Sequence, residues 1–478
     1  MSWIKKYNLK KNLEFLSVIP ILVVGIFFIL YSVLGIVRHN FYGSFGADLG
    51  FIDREFWQYS HFDFSQLLGQ AHIEPTTVIF SPLYWLWSDP RILILFQALV
   101  ITTSGMAVFL LAKKHKLNTW LCYVILLSYL MFYGVQNALW FDVHTSVWGA
   151  AFFMWFIYFL DSDNRKLSLL SFLLTIGSKE NFAPYVFLFT LIYFLFTRKK
   201  EAFWYMVGSL AYILLLFKII YPATLPKGYS YSSNQGLVSG NPLQLIDTAT
   251  KRQTLFYTFA WVGFLPILLP LWVVPILGNL ASYFILGRDY VAAHSIFMHY
   301  RVDLLPLVFS ALVFTIARYK WLNTKYIAGY LLICLLVCQY VLHLPLSYLT
   351  KRWFWTEPSG VPAINKIISE VPANAAVAVQ NNIYPHLSER EDISLLWPDE
   401  RTFMTNSPCG QTHCPWLRWE DNPKFMIVDF SPEWDIRHLL LQNADFQQAV
   451  MGMEKEGIIK LYRHEGTASI YQILEKAK

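Results

Sequence analysis

Charge is scarce in this chain. Asp, Glu, Lys and Arg together make up 15% of its 478 residues, against about 25% in soluble globular proteins, which excludes a water-soluble body for most of its length. Cysteine is scarce too, with five in all. Cys122, Cys334 and Cys338 fall in apolar runs and read as packing residues. Cys409 and Cys414, in Cys-Gly-Gln-Thr-His-Cys, fall in a polar region. If that region is extracytoplasmic they could form a local disulfide; a zinc site is the weaker alternative, because two further ligands of suitable spacing are missing. A Gly-rich phosphate loop, a metal-finger spacing, an internal repeat and a nucleic-acid-binding basic block are all absent. The first apolar stretch, Leu13 to Val37, is too long for a cleaved leader and has no small-residue cleavage site, so it is expected to be a signal anchor.

What is present is hydrophobic. Apolar residues reach 55% and aromatics 18%, with 18 Trp and 28 Tyr, and the mean hydropathy is +0.40. Such aromatics suit interfacial belts and sugar-stacking surfaces alike. The net charge of +6 is distributed in clusters between apolar runs. Lys5, Lys6, Lys10 and Lys11 precede the first run and place the N-terminus in the cytoplasm. Lys113-Lys114-His115-Lys116, Arg165-Lys166, Arg198-Lys199-Lys200, and Arg318 with Lys320 and Lys325 then mark cytoplasmic loops. Spans drawn between them fall near 14–37, 91–112, 118–134, 145–160, 167–178, 182–197, 203–221, 253–270, 272–286, 302–317 and 325–345. Several are shorter than the ~20 residues of a perpendicular helix, so tilted or broken helices are expected.

The expectation is therefore an α-helical polytopic membrane protein with about eleven transmembrane helices over residues 1–349 and a soluble α/β domain over 350–478. An odd count puts that last domain outside the cytoplasmic membrane. The first outer loop, 38–90, contains Thr77 to Trp87, an aromatic stretch interrupted by Pro82 and too short to span, which reads as a helix lying in the interface. In the C-terminal region, Ala376 to Gln380, Ser394 to Trp397 and Phe425 to Asp429 read as strands. Gly457 to Tyr462 and Ser469 to Leu474 read as a hairpin, with helices near 362–370 and 433–450.

Ionisable residues near span ends concentrate on the expected outer side: Asp48, Asp53, His72, Glu74, Asp142, His144, Glu180, Asp289, His294 and His299. Charges near membrane depth are costly and mark functional cavities, although loops are polar everywhere. If Ala47 to Trp57 is helical, Asp53 sits about 140° around the axis from Asp48. Asp48 is then either a plain helix N-cap or a general base that deprotonates an acceptor hydroxyl. In an extended chain His72 and Glu74, before Pro75, point the same way, and Asp142 and His144 repeat the pattern. These four residues either bind a divalent cation or are hydrogen-bonded loop residues. Lys179 and Glu180 form either a salt bridge or, through Lys179, a phosphate contact. Arg288, His299 and Arg301 are candidates for the same phosphate, or are snorkelling interfacial side chains.

These segments resemble a family of bacterial and archaeal multi-pass membrane proteins catalogued as a domain of unknown function and related to the GT-C glycosyltransferases. The resemblance runs through Ala47 to Asp53, His72 to Pro75 with Ser81 to Tyr84, Phe96 to Leu99, Phe141 to His144, Lys179 to Asn181, and His299 to Arg301 with Pro306. It continues at Val371 to Asn374, Gln380-Asn381 and Pro385 to Ser388. The chain departs from the family pattern at Ala71, where Asp is usual, at Glu74, where Ser is commoner, and at Thr145-Ser146, where Pro and Glu often follow the histidine. These departures weaken a metal site more than a catalytic base.

The resemblance implies a GT-C-like fold with jaw-like interfacial helices in the first outer loop, an acidic base there (Asp48, with Asp53 as rival) and a polyprenyl-phosphate sugar donor. The expected activity is an inverting transfer of that sugar to an extracytoplasmic glycan, lipid or protein acceptor. A divalent cation is the one cofactor the residues would accommodate. The rivals are a transporter or flippase for lipid-linked or anionic solutes, and a non-catalytic receptor or assembly protein; one-sided polar residues count against the first, because alternating access places its site near the midplane.

Overall fold

A computed structural model of the chain describes residues 18–68, 72–225, 242–285, 291–399, 417–432 and 443–474. Arg288, Asp289, Cys409 and Cys414 lie outside them. The chain divides into two compact units. One contains the chain through Leu34, Asp63–Phe80 and Leu95–Tyr348; the other contains Gly35–Phe62, Ser81–Ile94 and the chain from Leu349 onward.

The first unit is helical. Among the described residues, six helical stretches are long and apolar enough to cross a membrane: Val18–Asn40, Arg91–Lys114, Thr119–Phe141, Lys200–Thr224, Ala292–Arg318 and Lys325–Leu342. Three apolar helices are shorter, Thr145–Asp161, Phe182–Thr197 and Pro270–Phe284. The other two expected spans meet the twelve-residue helices Arg165–Ile176 and Ala249–Ala260. The second of these stops at Trp261, where Gly263 and Phe264 take positive φ and Pro266 and Pro270 remove donors. Burial separates central from peripheral helices. Lys200–Thr224 is 11% buried and presents Leu210, Leu214 and Ile219 outward, whereas Ala292–Arg318 is 83% buried. That buried stretch begins in the short helix Val291–His294, passes through a 3₁₀ turn, His299–Leu304, and becomes α-helical again at Leu305, with Pro306 in its first turn.

The second unit is built on a sheet of order β2-β1-β5-β7-β6, with β1 Val377–Val379, β2 Ile393–Leu395, β5 Phe425–Asp429, β6 Ile459–Glu465 and β7 Ala468–Ile473. A short pair, β3 Trp397–Pro398 and β4 Leu417–Arg418, stands apart. β1 runs parallel to β2 and β5, while β7 is antiparallel to β5 and β6. Successive side chains of a strand point to opposite faces, so the alternation fills two cores. Val377, Val379 and Ile427 pack with Ile364 and Ile367 of the helix Val361–Ser369. Ala378, Met426 and Val428 pack with Phe446 and Val450 of the helix Asn443–Lys455.

The first of these cores is completed from far away in the sequence. Tyr42 is buried within it, and Phe45, Ala47 and Phe51 pack against it. The turn Gly46–Gly50 donates from Gly46 N to the Asn381 carbonyl at 2.7 Å and from Ala47 N to Asn381 Oδ1 at 3.2 Å. A Cβ on Gly46 or Gly50 would lie 2.6 or 2.4 Å from the Tyr384 side chain, so this approach requires glycine at both positions.

Candidate functional site

Within the first unit, four short motifs scattered over more than 200 residues meet. The segment before Pro75 is fixed from both sides: Ile73 packs on Leu216 and Tyr221, and Thr76 N donates to the Gly177 carbonyl at 3.1 Å. His72 and Glu74 flank Ile73. His72 Nδ1 lies 2.7 Å from Glu180 Oε1, while Glu74 Oε1 accepts from Thr145 Oγ1 at 2.7 Å. The Asp142–His144 segment is held by Gln97, whose Nε2 donates to the Asp142 carbonyl at 3.0 Å and whose Oε1 accepts from His144 N at 3.2 Å.

The His144 ring stacks on that of His299, which also packs on Tyr300 at 4.0 Å between centroids. Arg301 is fully buried. Its Nη2 donates to the Ala293 carbonyl, and its guanidinium lies over the Tyr283 ring, 4.5 Å from the centroid. Gly134 permits this turn to sit where it does, since a Cβ there would lie 2.4 Å from the Arg301 carbonyl oxygen. Asp303 Oδ2 accepts from Tyr283 Oη at 2.7 Å and from Asn181 Nδ2 at 2.8 Å. Arg301 Nε and Nη1 and Asp303 Oδ1 find no hydrogen-bond partner among the described residues. His294, two turns earlier, is buried and accepts from Thr254 Oγ1 through its carbonyl at 2.6 Å.

The electrostatics favour one retained cation. Burial opposes charge on Lys179, but the Glu74, Glu180 and Asp303 carboxylates outweigh it and raise its pKa above the ordinary lysine value. Its ammonium makes no salt bridge among the described residues. Burial raises the pKa of Glu74, with Lys179, His72 and Thr145 pulling the other way. The expected turn Lys179-Glu180 is thus split: Glu180 pairs with His72, and Lys179 is left as a cation among carboxylates.

His72, Glu74, Asp142 and His144 do not close into a metal site. No group of three or more His, Cys, Asp or Glu side chains among the described residues is placed to hold an ion.

The two carboxylates of the first outer loop lie in the second unit and differ sharply. Asp53, on the helix Phe51–Ser60, is completely buried. Its Oδ1 accepts from Tyr84 Oη and its Oδ2 from Ser388 Oγ at 2.5 Å. Burial, reinforced by Glu389, raises its pKa well above the carboxylate range despite those two donors. Asp48, in the turn Gly46–Gly50, is half-buried. Asp53 is thus turned into the interior, whereas Asp48, in the preceding turn, keeps part of its surface exposed. Arg54 anchors the same helix by donating to the carbonyls of Ile393 at 2.8 Å and Glu391 at 2.7 Å.

Several residues of these sites could not be placed from the sequence pattern. Tyr283 reads as an ordinary span residue, and Gln97 and Thr145, in or beside matched segments, have nothing local that ties them to His144 or Glu74. Asp303 had a usable signal, an acid two residues past Arg301 at the mouth of an apolar run. Tyr84 and Ser388 belong to recognised segments, but nothing local ties them to Asp53.

Residues 42–408 match the model of a family described as predicted membrane protein, DUF2079, and the chain belongs to that family. No curated protein matches it.

Proposed function

We propose that this membrane protein is an inverting glycosyltransferase that takes a sugar from a polyprenyl-phosphate donor and passes it to an extracytoplasmic glycan, lipid or protein. The observation that carries this reading is the meeting of the His72, His144, Lys179 and His299 motifs in one polar cluster of the membrane unit, where among the described residues Lys179 has no salt bridge and Arg301 keeps two unspent donors. A phosphate leaving group needs cations that strengthen their hold as charge develops on it. Lys179 and Arg301 are assigned that role, with His72, His299 and Asp303 orienting the cluster.

In the same reading Asp48 is the base. It takes the proton of an acceptor hydroxyl while the hydroxyl oxygen bonds to the anomeric carbon and the carbon–phosphate oxygen bond breaks, which inverts that centre. Asp48 is preferred to Asp53 because a buried carboxyl holding two hydroxyl groups cannot reach an acceptor. A GT-C-like fold of eleven spans, a cytoplasmic N-terminus, an extracytoplasmic C-terminal domain and residence in the inner membrane belong to the proposal.

The test is sugar transfer from a panel of radiolabelled polyprenyl-phosphate sugars by purified protein, comparing wild type with Asp48→Asn and Arg301→Met. Transfer that Asp48→Asn abolishes in a folded protein supports the reading. One observation favours transport instead: Arg301 and Asp303 are buried within a candidate span. Donor binding without transfer, together with donor movement across proteoliposomes, would select that alternative.

A further inference from the structure

The second unit contains a cavity of about 500 Å³ to which nothing above assigns a role, a volume within the roughly 300–1,000 Å³ typical of small-ligand sites. It is lined by the end of the helix Val18–Asn40, the start of the helix Arg91–Lys114, and residues of the C-terminal domain. We propose that this cavity binds a glycosyl group, a neutral, hydroxyl-rich ring presented by a membrane glycolipid or by a free glycan.

The lining excludes other classes. Of the two lining carboxylates, Asp89 and Glu357, Asp89 is spent: its Oδ1 accepts from Arg91 N at 2.9 Å and from Arg91 Nε at 2.7 Å. The same contact neutralises Arg91, the one Lys or Arg among the described lining residues, which disfavours a phosphate or carboxylate. An acyl chain is excluded by the polarity of the remaining groups.

Those groups mix donors with acceptors. Asn365 uses its carbonyl to accept from Tyr42 Oη at 2.6 Å, which leaves its amide NH₂ to donate. Glu357 offers an acceptor at the rim. His386 Nε2 is buried and has no partner among the described residues. Burial and the neighbouring His39 lower the His386 pKa well below the usual value, so its imidazole is neutral and its ring nitrogens take one donor and one acceptor role. Sugar hydroxyls both donate and accept, and can meet such a set.

The His386 ring stacks on His39 at 4.2 Å between centroids and 14° between planes, and lies 4.0 Å from the Tyr42 ring. These two neighbours fix the orientation of the imidazole whose Nε2 is left to hydrogen-bond. The same unit exposes Phe62, Trp85, Leu86 and Trp87, side chains of the kind that anchor at a membrane surface. As the acceptor subsite, this assignment rests on the transferase reading; as a glycan-binding site, it does not.

The test is binding by the full chain in phosphatidylcholine nanodiscs, with two kinds of probe. Methyl hexopyranosides and maltotriose are titrated free in solution, and glucosyl diacylglycerol is included in the bilayer and scored by native mass spectrometry. Glu357→Ala removes a rim acceptor, and Asn40→Phe fills space at an exposed position; unfolding temperature checks that both fold. The expected result is binding of at least one probe that each variant weakens about tenfold or more, a difference of roughly 1.4 kcal/mol. Glycolipid binding alone identifies the membrane as the source, and saccharide binding alone identifies a free glycan. No binding by the wild type, or equal binding by folded variants, overturns the proposal. Binding that survives in a wild type unable to transfer sugar keeps this inference and removes the transferase reading.

Discussion

The imidazoles of His144 and His299 stack face to face, with centroids 3.8 Å apart and planes 17° from parallel. They arrive from different elements, one just before the helix Thr145–Asp161 and the other at the start of the turn His299–Leu304. Phe141 extends the stack at 5.0 Å from His299. The histidines are thus a packing joint as well as polar groups. We predict that His299→Ala lowers stability by about 1–3 kcal/mol, from several lost ring contacts, while His299→Phe recovers most of that loss. Thermal unfolding in detergent checks both, and donor binding absent from the Phe variant would assign the ring nitrogens a role beyond packing.

Asp53 makes a prediction with a definite sign. Its folded pKa is raised above the unfolded value near ~3.9, so the folded state holds a proton that the unfolded state releases. Stability contributed by that proton is therefore full below the unfolded pKa and falls as pH rises towards the folded pKa. Asp53→Asn keeps a neutral side chain at every pH, so its unfolding temperature should lack that fall. Asp53→Leu strands the Tyr84 and Ser388 hydroxyl groups, at a cost of about 1–3 kcal/mol. Ser388 retains its 3.2 Å contact to the Pro385 carbonyl, which puts the expected value in the lower part of that range.

Lys179 keeps its charge with the help of Glu74 and Glu180. Removing one of these carboxylates should bring its pKa down. In Glu74→Gln, the alkaline limit of donor binding should therefore move to lower pH, with the acidic part of the profile preserved. Lys179→Met should abolish donor binding at every pH. An unchanged alkaline limb in Glu74→Gln would remove Lys179 as the titrating group.

The contact of Gly50 with Tyr384 can be tested by a paired substitution. Gly50→Ala drives a Cβ to 2.4 Å from the ring, an overpacking expected to cost about 1–3 kcal/mol. Tyr384→Leu removes the ring and should itself destabilise, since Tyr384 is buried in the sheet core. Because the two residues touch, the double variant should be more stable than the sum of the singles implies. Additive losses, measured by limited proteolysis or unfolding, would count against this packing.

Local features were legible in the sequence wherever one segment determined its own structure. The alternation in Phe425–Asp429 yields a five-residue strand, and the pair around Arg463-His464-Glu465-Gly466 yields the β6–β7 hairpin. The helix expected near 362–370 spans Val361–Ser369; the one expected near 433–450 spans Asn443–Lys455, and its earlier part lies outside the described residues. His72 and Glu74 flank the packed Ile73 in sequence, and each acid or imidazole finds a partner that no local rule supplies. Glu180 for His72, Thr145 for Glu74, and Asn181 with Tyr283 for Asp303 are all tertiary choices. Span length was the weakest element: basic clusters mark eleven apolar runs, but hydropathy alone does not distinguish the six long helices from runs that end early at Gly263 or Pro270.

The sheet unit has a consequence for how this protein is made. Its first core needs Tyr42, Phe45 and Phe51, which leave the ribosome several hundred residues before Ala468 and Ile470 of the strand that closes the same core. Contacts of such sequence separation form late and leave apolar surface uncovered in the interval. The early loop must therefore wait through the synthesis of nearly the whole membrane unit before it has a home. A stop codon near the C-terminus would strand it permanently, and the C-terminal domain expressed alone would lack part of its own interior. Quality-control proteases would meet both as incomplete folds, so even short C-terminal deletions should be recognised at the opposite end of the chain.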